Sequence, residues 1–108
     1  MAFNVSTQVM KDGTVELSLS GELDASVANE FKTAVEKAAA ENAKKLVLNM
    51  KDLEFMSSAG LRVLVFAKQK MGPGVDIYVI AAQEAVRDTI EMTGFHQSVI
   101  MQDVYNAG

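Results

Sequence analysis

Near the middle of the chain, Leu46-Val47-Leu48 with Met50 forms a short, almost unbroken apolar run. It lacks the alternation of a strand with one wet face. It therefore reads as a central strand, covered on both faces or flanked by parallel neighbours, with Asp52 marking its end. Such a strand needs partners, and the preceding residues supply two. Phe3, Val5 and Val9 alternate with Asn4, Ser6 and Gln8, and Val15, Leu17 and Leu19 alternate with Glu16, Ser18 and Ser20. Both runs have the period of half-buried strands. Between them, Lys11-Asp12-Gly13 offers a glycine for the positive φ of a reversal, so the pair reads as a β-hairpin.

The period then changes. After Gly21-Glu22-Leu23, Asp24 or Ser26 is placed to cap a helix whose apolar residues Val27, Phe31, Ala34, Val35 and Ala38 recur at helical spacing. Lys32, Glu36, Lys37 and Glu41 fall on its solvated side, and Asn42-Ala43 close it. A second helix follows Ser57-Ser58 and is apolar nearly all round, from Leu61 through Val63, Leu64, Val65, Phe66 and Ala67. Only Arg62, Lys68, Gln69 and Lys70 are left for water. A helix of that kind is deeply buried or keeps some surface for a partner, and Phe66 is the candidate for an exposed apolar residue. Gly72-Pro73-Gly74 turns the chain and Val75 to Ala81 reads as a buried strand. Ala85, Val86, Thr89 and Ile90 mark a short helix ended by Gly94, and Gln97 to Met101 reads as a last, weaker strand before a frayed end over 102–108.

The resulting order, β-β-α-β-α-β-α-β, predicts an α/β fold in which right-handed crossovers build a mostly parallel sheet with an antiparallel first strand. The 108 residues match one domain of ordinary size, and 49% hydrophobic against 22% charged content is enough for a packed core. In this topology the loops from strand ends to helix starts share one edge of the sheet. Asp24 and Ser57-Ser58 both lie in such loops, which predicts a common working surface.

Composition narrows what that surface does. A net charge of -4 repels nucleic-acid phosphates and anionic lipid alike, so neither nucleic acid nor a membrane is the expected partner. No secretory signal or membrane-spanning apolar stretch is visible, and the absence of cysteine fits a reducing compartment, so a cytoplasmic location is expected. One histidine and no cysteine do not build a typical zinc site, no acidic group has calcium-loop spacing, and no phosphate-loop motif occurs; no metal or cofactor is expected. An enzyme reading would pair Ser58 with His96. It fails on pattern, because a nucleophile elbow wants glycine two residues either side of the serine, and Met56 stands where the first is needed.

Phe55-Met56-Ser57-Ser58-Ala59-Gly60-Leu61-Arg62 places two hydroxyls where an apolar strand stops and an apolar helix begins. The plain reading makes Ser58 the N-cap, accepting from a backbone N–H. A helix start also welcomes added negative charge, so a phosphorylated serine suits the same place. Both readings can hold together.

Taken with Gly21-Glu22-Leu23-Asp24, Leu46-Val47-Leu48-Asn49, Asp52-Leu53 and Met92-Thr93-Gly94-Phe95, this stretch makes the chain resemble the STAS domain family, in particular bacterial anti-sigma factor antagonists. The likeness covers almost all of the sequence. It implies a STAS-type (βα) superhelix and a regulatory, non-enzymatic protein. It implies binding to an anti-sigma factor that is also a serine kinase, inactivation by phosphorylation at the start of the second helix, and restoration by a serine phosphatase. The resemblance puts the acceptor at Ser58. Many members have an aspartate before that serine; Ser57 stands there instead, which makes it a second candidate acceptor. Asp24 matches the family's partner-binding acidic position, and the expected partner-binding residues are Asp24, Met56, Ser57, Ser58, Gly60, Arg62 and Phe66. The alternative within the family is an unphosphorylated STAS scaffold, or a fixed subunit of a stress-signalling or lipid-transport complex.

Overall fold

The computed structural model describes residues 2–105. Five strands form one sheet in the order β1-β2-β3-β4-β5, comprising Asn4–Val9, Thr14–Leu23, Lys45–Met56, Asp76–Ile80 and Ile100–Gln102. Helices α1 (Ala28–Ala40), α2 (Ser58–Met71) and α3 (Glu84–Met92) make the crossovers, and a 3-10 turn at Phe95–Gln97 precedes β5. The first pair is antiparallel and the rest are parallel. Because each crossover steps one strand further in the same direction, right-handed connections put every helix on the same face.

The hairpin forms where expected. Gly13 takes φ +90, and the Asp12 carboxylate accepts from the Thr14 N–H at 3.0 Å. That contact holds the Asp12 carboxyl below its usual value.

The central run is parallel on both sides, but helices cover only one of its faces. Leu46, Leu48 and Met50 lie in the main core with Leu17, Phe31, Leu64 and Ile90. Val47 points the other way, into a small separate cluster with Tyr78 and Ile80, capped by Tyr105, whose ring meets Tyr78 edge-on at 5.0 Å. Across β2 that helix-free face is polar, where the Asn49 amide donates to Glu16 at 3.3 Å. An unbroken apolar run therefore does not require two helical layers. Here the second face needs only three strand residues and one returning tyrosine.

Several boundaries move. β3 runs through Asp52 to Met56, because irregular pairing at Ser18/Ser20 and Gly21/Glu22 lets β2 follow it to the end. α1 starts at Ala28 with Val27 at the cap position and no side-chain cap, so neither Asp24 nor Ser26 caps it. The last strand begins at Ile100, the 3-10 turn taking the residues before it. Within the expected frayed end, Gln102 belongs to β5 and Tyr105 packs on Tyr78, while 106–108 lie outside the described residues.

The all-round apolar character of α2 has a positional cause. It is the middle helix, with the sheet beneath and α1 and α3 on either side. Phe66 is accordingly half-buried against the core, not exposed, and the Lys32 Nζ lies 5.0 Å from its ring centroid. Among the described residues the large exposed apolar side chains are instead Val9, Phe55, Met92, Ile100 and Val104.

Candidate functional site

The site is built by the parallel pairing of β2 with β3. Leu23 and Met56 are register partners at the strand ends, and the Ser57 N–H donates to the Leu23 carbonyl at 2.9 Å. The next residue of each loop, Asp24 after Leu23 and Ser57 after Met56, therefore leaves the sheet beside the other. Backbone pairing brings the two loops together, and no contact between their side chains is needed.

Asp24 closes its own turn. Its Oδ1 accepts from the Ser26 hydroxyl at 2.6 Å and from the Ser26 N–H at 2.9 Å, while its carbonyl accepts from the Val27 N–H at 3.2 Å. The Ser26 hydroxyl is the main cause that lowers the carboxyl from its ordinary value, and the backbone N–H adds to it. An exposed, ionised carboxylate thus stands before α1, where it stiffens a turn without capping the helix.

The two serines divide their labour. Ser57 is extended, with φ -82 and ψ 174, and its Oγ accepts from the Gly60 N–H at 3.4 Å. Its carbonyl accepts the first intrahelical bond, from Leu61 at 3.0 Å. Ser57 is the N-cap, and Ser58, read from sequence as the cap, is the first helical residue. Ser58 is exposed, and its hydroxyl makes no hydrogen bond among the described residues. Ser57→Ala is expected to cost about 0.5–1 kcal/mol, toward the low end for a cap because the contact is long. Thermal unfolding measures it; an unchanged midpoint would mean that the 3.4 Å contact carries nothing.

Met56 and Gly60, expected among the contact positions, are buried. They shape the corner from inside. A Cβ on Gly60 would stand 2.8 Å from Leu23 Cγ and 3.0 Å from Met56 Cγ, so glycine lets α2 start tight against the strand ends. Arg62 and Phe66 line a shallow groove between α1 and α2, floored by Ala28, Ala59 and Val63 and edged by Asn29 and Lys32. The sequence put Lys32 on the solvated side of α1 and gave Asn29 no role, so the groove itself was missed. The signal was the facing pair of helical series, Ala25/Ala28/Asn29/Lys32 against Ala59/Arg62/Val63/Phe66. Phe55 was missed as an exposed residue too; adjacent strand residues point to opposite faces, so a buried Met56 leaves Phe55 outside.

His96 sits in the 3-10 turn, which packs on α3 and β5 at the far edge of the sheet, away from the β2–β3 corner. Ser58 and His96 are not assembled into a nucleophile–base pair. Among the described residues no group of three or more His, Cys, Asp or Glu is placed to hold a metal, and no helix is long and apolar enough to cross a membrane.

Comparison with known proteins gives this corner a context. Residues 7–107 match the STAS domain family. The chain belongs to that family, among the anti-sigma factor antagonists. It is 30% identical over 87 residues to the anti-sigma-F factor antagonist RsfB of Mycobacterium tuberculosis, covering 81% of this chain and 71% of that protein. The crystal structure of an anti-sigma factor antagonist from Mycobacterium paratuberculosis superposes with a TM-score of 0.87 at 26% identity, covering 95% of this chain and 87% of that one. SpoIIAA of Bacillus shares the fold at 21% identity. Its unphosphorylated form has a TM-score of 0.75, covering 93% of this chain and 87% of its own. Its phosphorylated form has 0.71, covering 95% and 92%. The family is regulatory and non-catalytic.

Proposed function

We propose that this protein binds an anti-sigma factor through the β2–β3 corner and is released when that partner, acting as a serine kinase, phosphorylates Ser58. Asp24, Ser57, Ser58, Arg62 and Phe66 form the contact face, and Met56 and Gly60 support it from beneath. A serine phosphatase restores the binding form, and the exchange takes place in the cytoplasm. The observation that carries this reading is the division between the serines: Ser57 is engaged in capping, while Ser58 offers an exposed, unengaged hydroxyl on the first turn of α2. That SpoIIAA has been described in both a phosphorylated and an unphosphorylated form supports it, since both share this fold.

The energetics need only charge. A phosphate adds about −1.5 to −2 charges, which the exposed helix start tolerates. A docked partner does not: one added charge ~5 Å from a partner carboxylate costs about 3 kcal/mol at an effective dielectric of ~20. That is roughly a 100-fold loss of affinity. Titration calorimetry with the cognate anti-sigma factor should show Ser58→Ala binding like wild type and Ser58→Asp binding at least tenfold more weakly. Equal affinities for wild type and Ser58→Asp would remove the switch. Intact mass of protein from its native host adds an independent check, with a form heavier by about 80 daltons expected. A permanently unmodified chain with a constant co-purifying partner would instead mark a fixed subunit.

A further inference from the structure

Arg62 lies one turn after Ser58 on α2, and both are exposed. Lys32, the other cation of the α1–α2 groove, sits over the Phe66 ring, whereas Arg62 has no ion pair, hydrogen bond or ring contact among the described residues. The first turn of α2 contains no acidic residue to engage it. Resting on the reading that Ser58 is phosphorylated, we propose that Arg62 receives the phosphate, clamping it against α2 and withdrawing its own positive charge from the groove.

Residues four apart on a helix have Cβ atoms roughly 5–6 Å apart, and the better order places the anion N-terminal to the cation. A guanidinium matches phosphate oxygens with two parallel N–H donors, so a side chain with no competing partner is drawn to the new dianion. Two consequences combine at the docking face. The corner gains negative charge at Ser58, and the groove loses one of its two cations to an internal pair. The modification thus changes a surface wider than the serine itself, and a phosphatase has to draw the phosphate away from Arg62 before hydrolysing it.

The test needs no partner. Phosphoserine is installed at position 58 in wild type and in Arg62→Gln, and the phosphate is titrated by phosphorus NMR. The second ionisation in wild type is expected roughly half a unit below that of Arg62→Gln, with the gap closing at ~1 M salt. Arg62→Lys should recover part of the shift. The helix start and the neighbouring Glu22, Asp24, Lys32 and Glu54 are common to all three proteins and cancel in the comparison. Coincident titration curves for wild type and Arg62→Gln would overturn the clamp. Lack of phosphorylation in the host would overturn the functional reading and leave the clamp's own result standing, so the two failures are distinguishable.

Discussion

Phe31→Ala is expected to lower the unfolding free energy by about 3–5 kcal/mol, measured by urea denaturation with an unchanged slope. The buried face of α1 consists of Ala28, Phe31, Ala34, Val35 and Ala38, so one phenyl ring supplies most of the side-chain volume that ties this helix to the sheet. Its ring is fully buried. The alanines around it have no reach to fill the vacated space, which places the cost in the upper part of the range for large-to-small changes. The better helix propensity of alanine returns only about 0.5 kcal/mol. Since domains of this size are stable by about 5–15 kcal/mol, the melting temperature should fall by roughly 15 °C or more. A cost under ~1 kcal/mol would show that α1 is held by something other than this contact.

Gly60→Val sets two effects against each other at the β2–β3 corner. Replacing glycine within a helix favours folding by about 0.3–0.5 kcal/mol. Against that, the first added carbon already meets Leu23 Cγ at 2.8 Å, Leu23 Cδ2 at 2.9 Å and Met56 Cγ at 3.0 Å, and valine adds two methyls beyond it. Both neighbours are fully buried, and the leucine contact includes its branch point, so neither gives way freely. Overpacking of this kind costs about 1–3 kcal/mol, so the net expectation is destabilisation by about 1–2 kcal/mol. Leu23 and Met56 are also the register pair from which Asp24 and Ser57 emerge. Amide chemical shifts should therefore move most at 23–26 and 56–62, with Gly60→Ala giving a smaller version of the same pattern. A valine variant as stable as wild type, with shifts spread evenly, would mean that the close approach of α2 to the strand ends does not define the corner.

Much of the architecture was legible because period and punctuation are local. Alternation at Phe3–Val9 and Val15–Ser20 with a glycine between them leaves little besides a hairpin, and Gly13 takes the positive φ that the turn requires. Helical spacing from Phe31 to Ala38 identified the inner face of α1 residue by residue. The site was legible more coarsely. Strand-end loops share an edge in any parallel sheet of this order, so the sequence alone puts Asp24 and Ser57-Ser58 near one another. Their roles were not legible, because a cap is decided by which hydroxyl meets a backbone N–H, and a one-residue difference in where α2 begins exchanges Ser57 with Ser58.

What the residue order determined by itself is the succession of strands and helices, the hairpin, the inward face of α1 and the serine pair between β3 and α2. Each follows from steric and hydrophobic preferences acting within a few residues. Only the tertiary structure decided that all three helices share one face, that Val47 is covered by Tyr78, Ile80 and Tyr105 instead of a second helical layer, that Phe66 tucks under Lys32, and that Met56 and Gly60 support the corner from below. Those outcomes depend on which distant segments become neighbours. Side-chain burial belongs to the assembled layers, and no single element carries it alone.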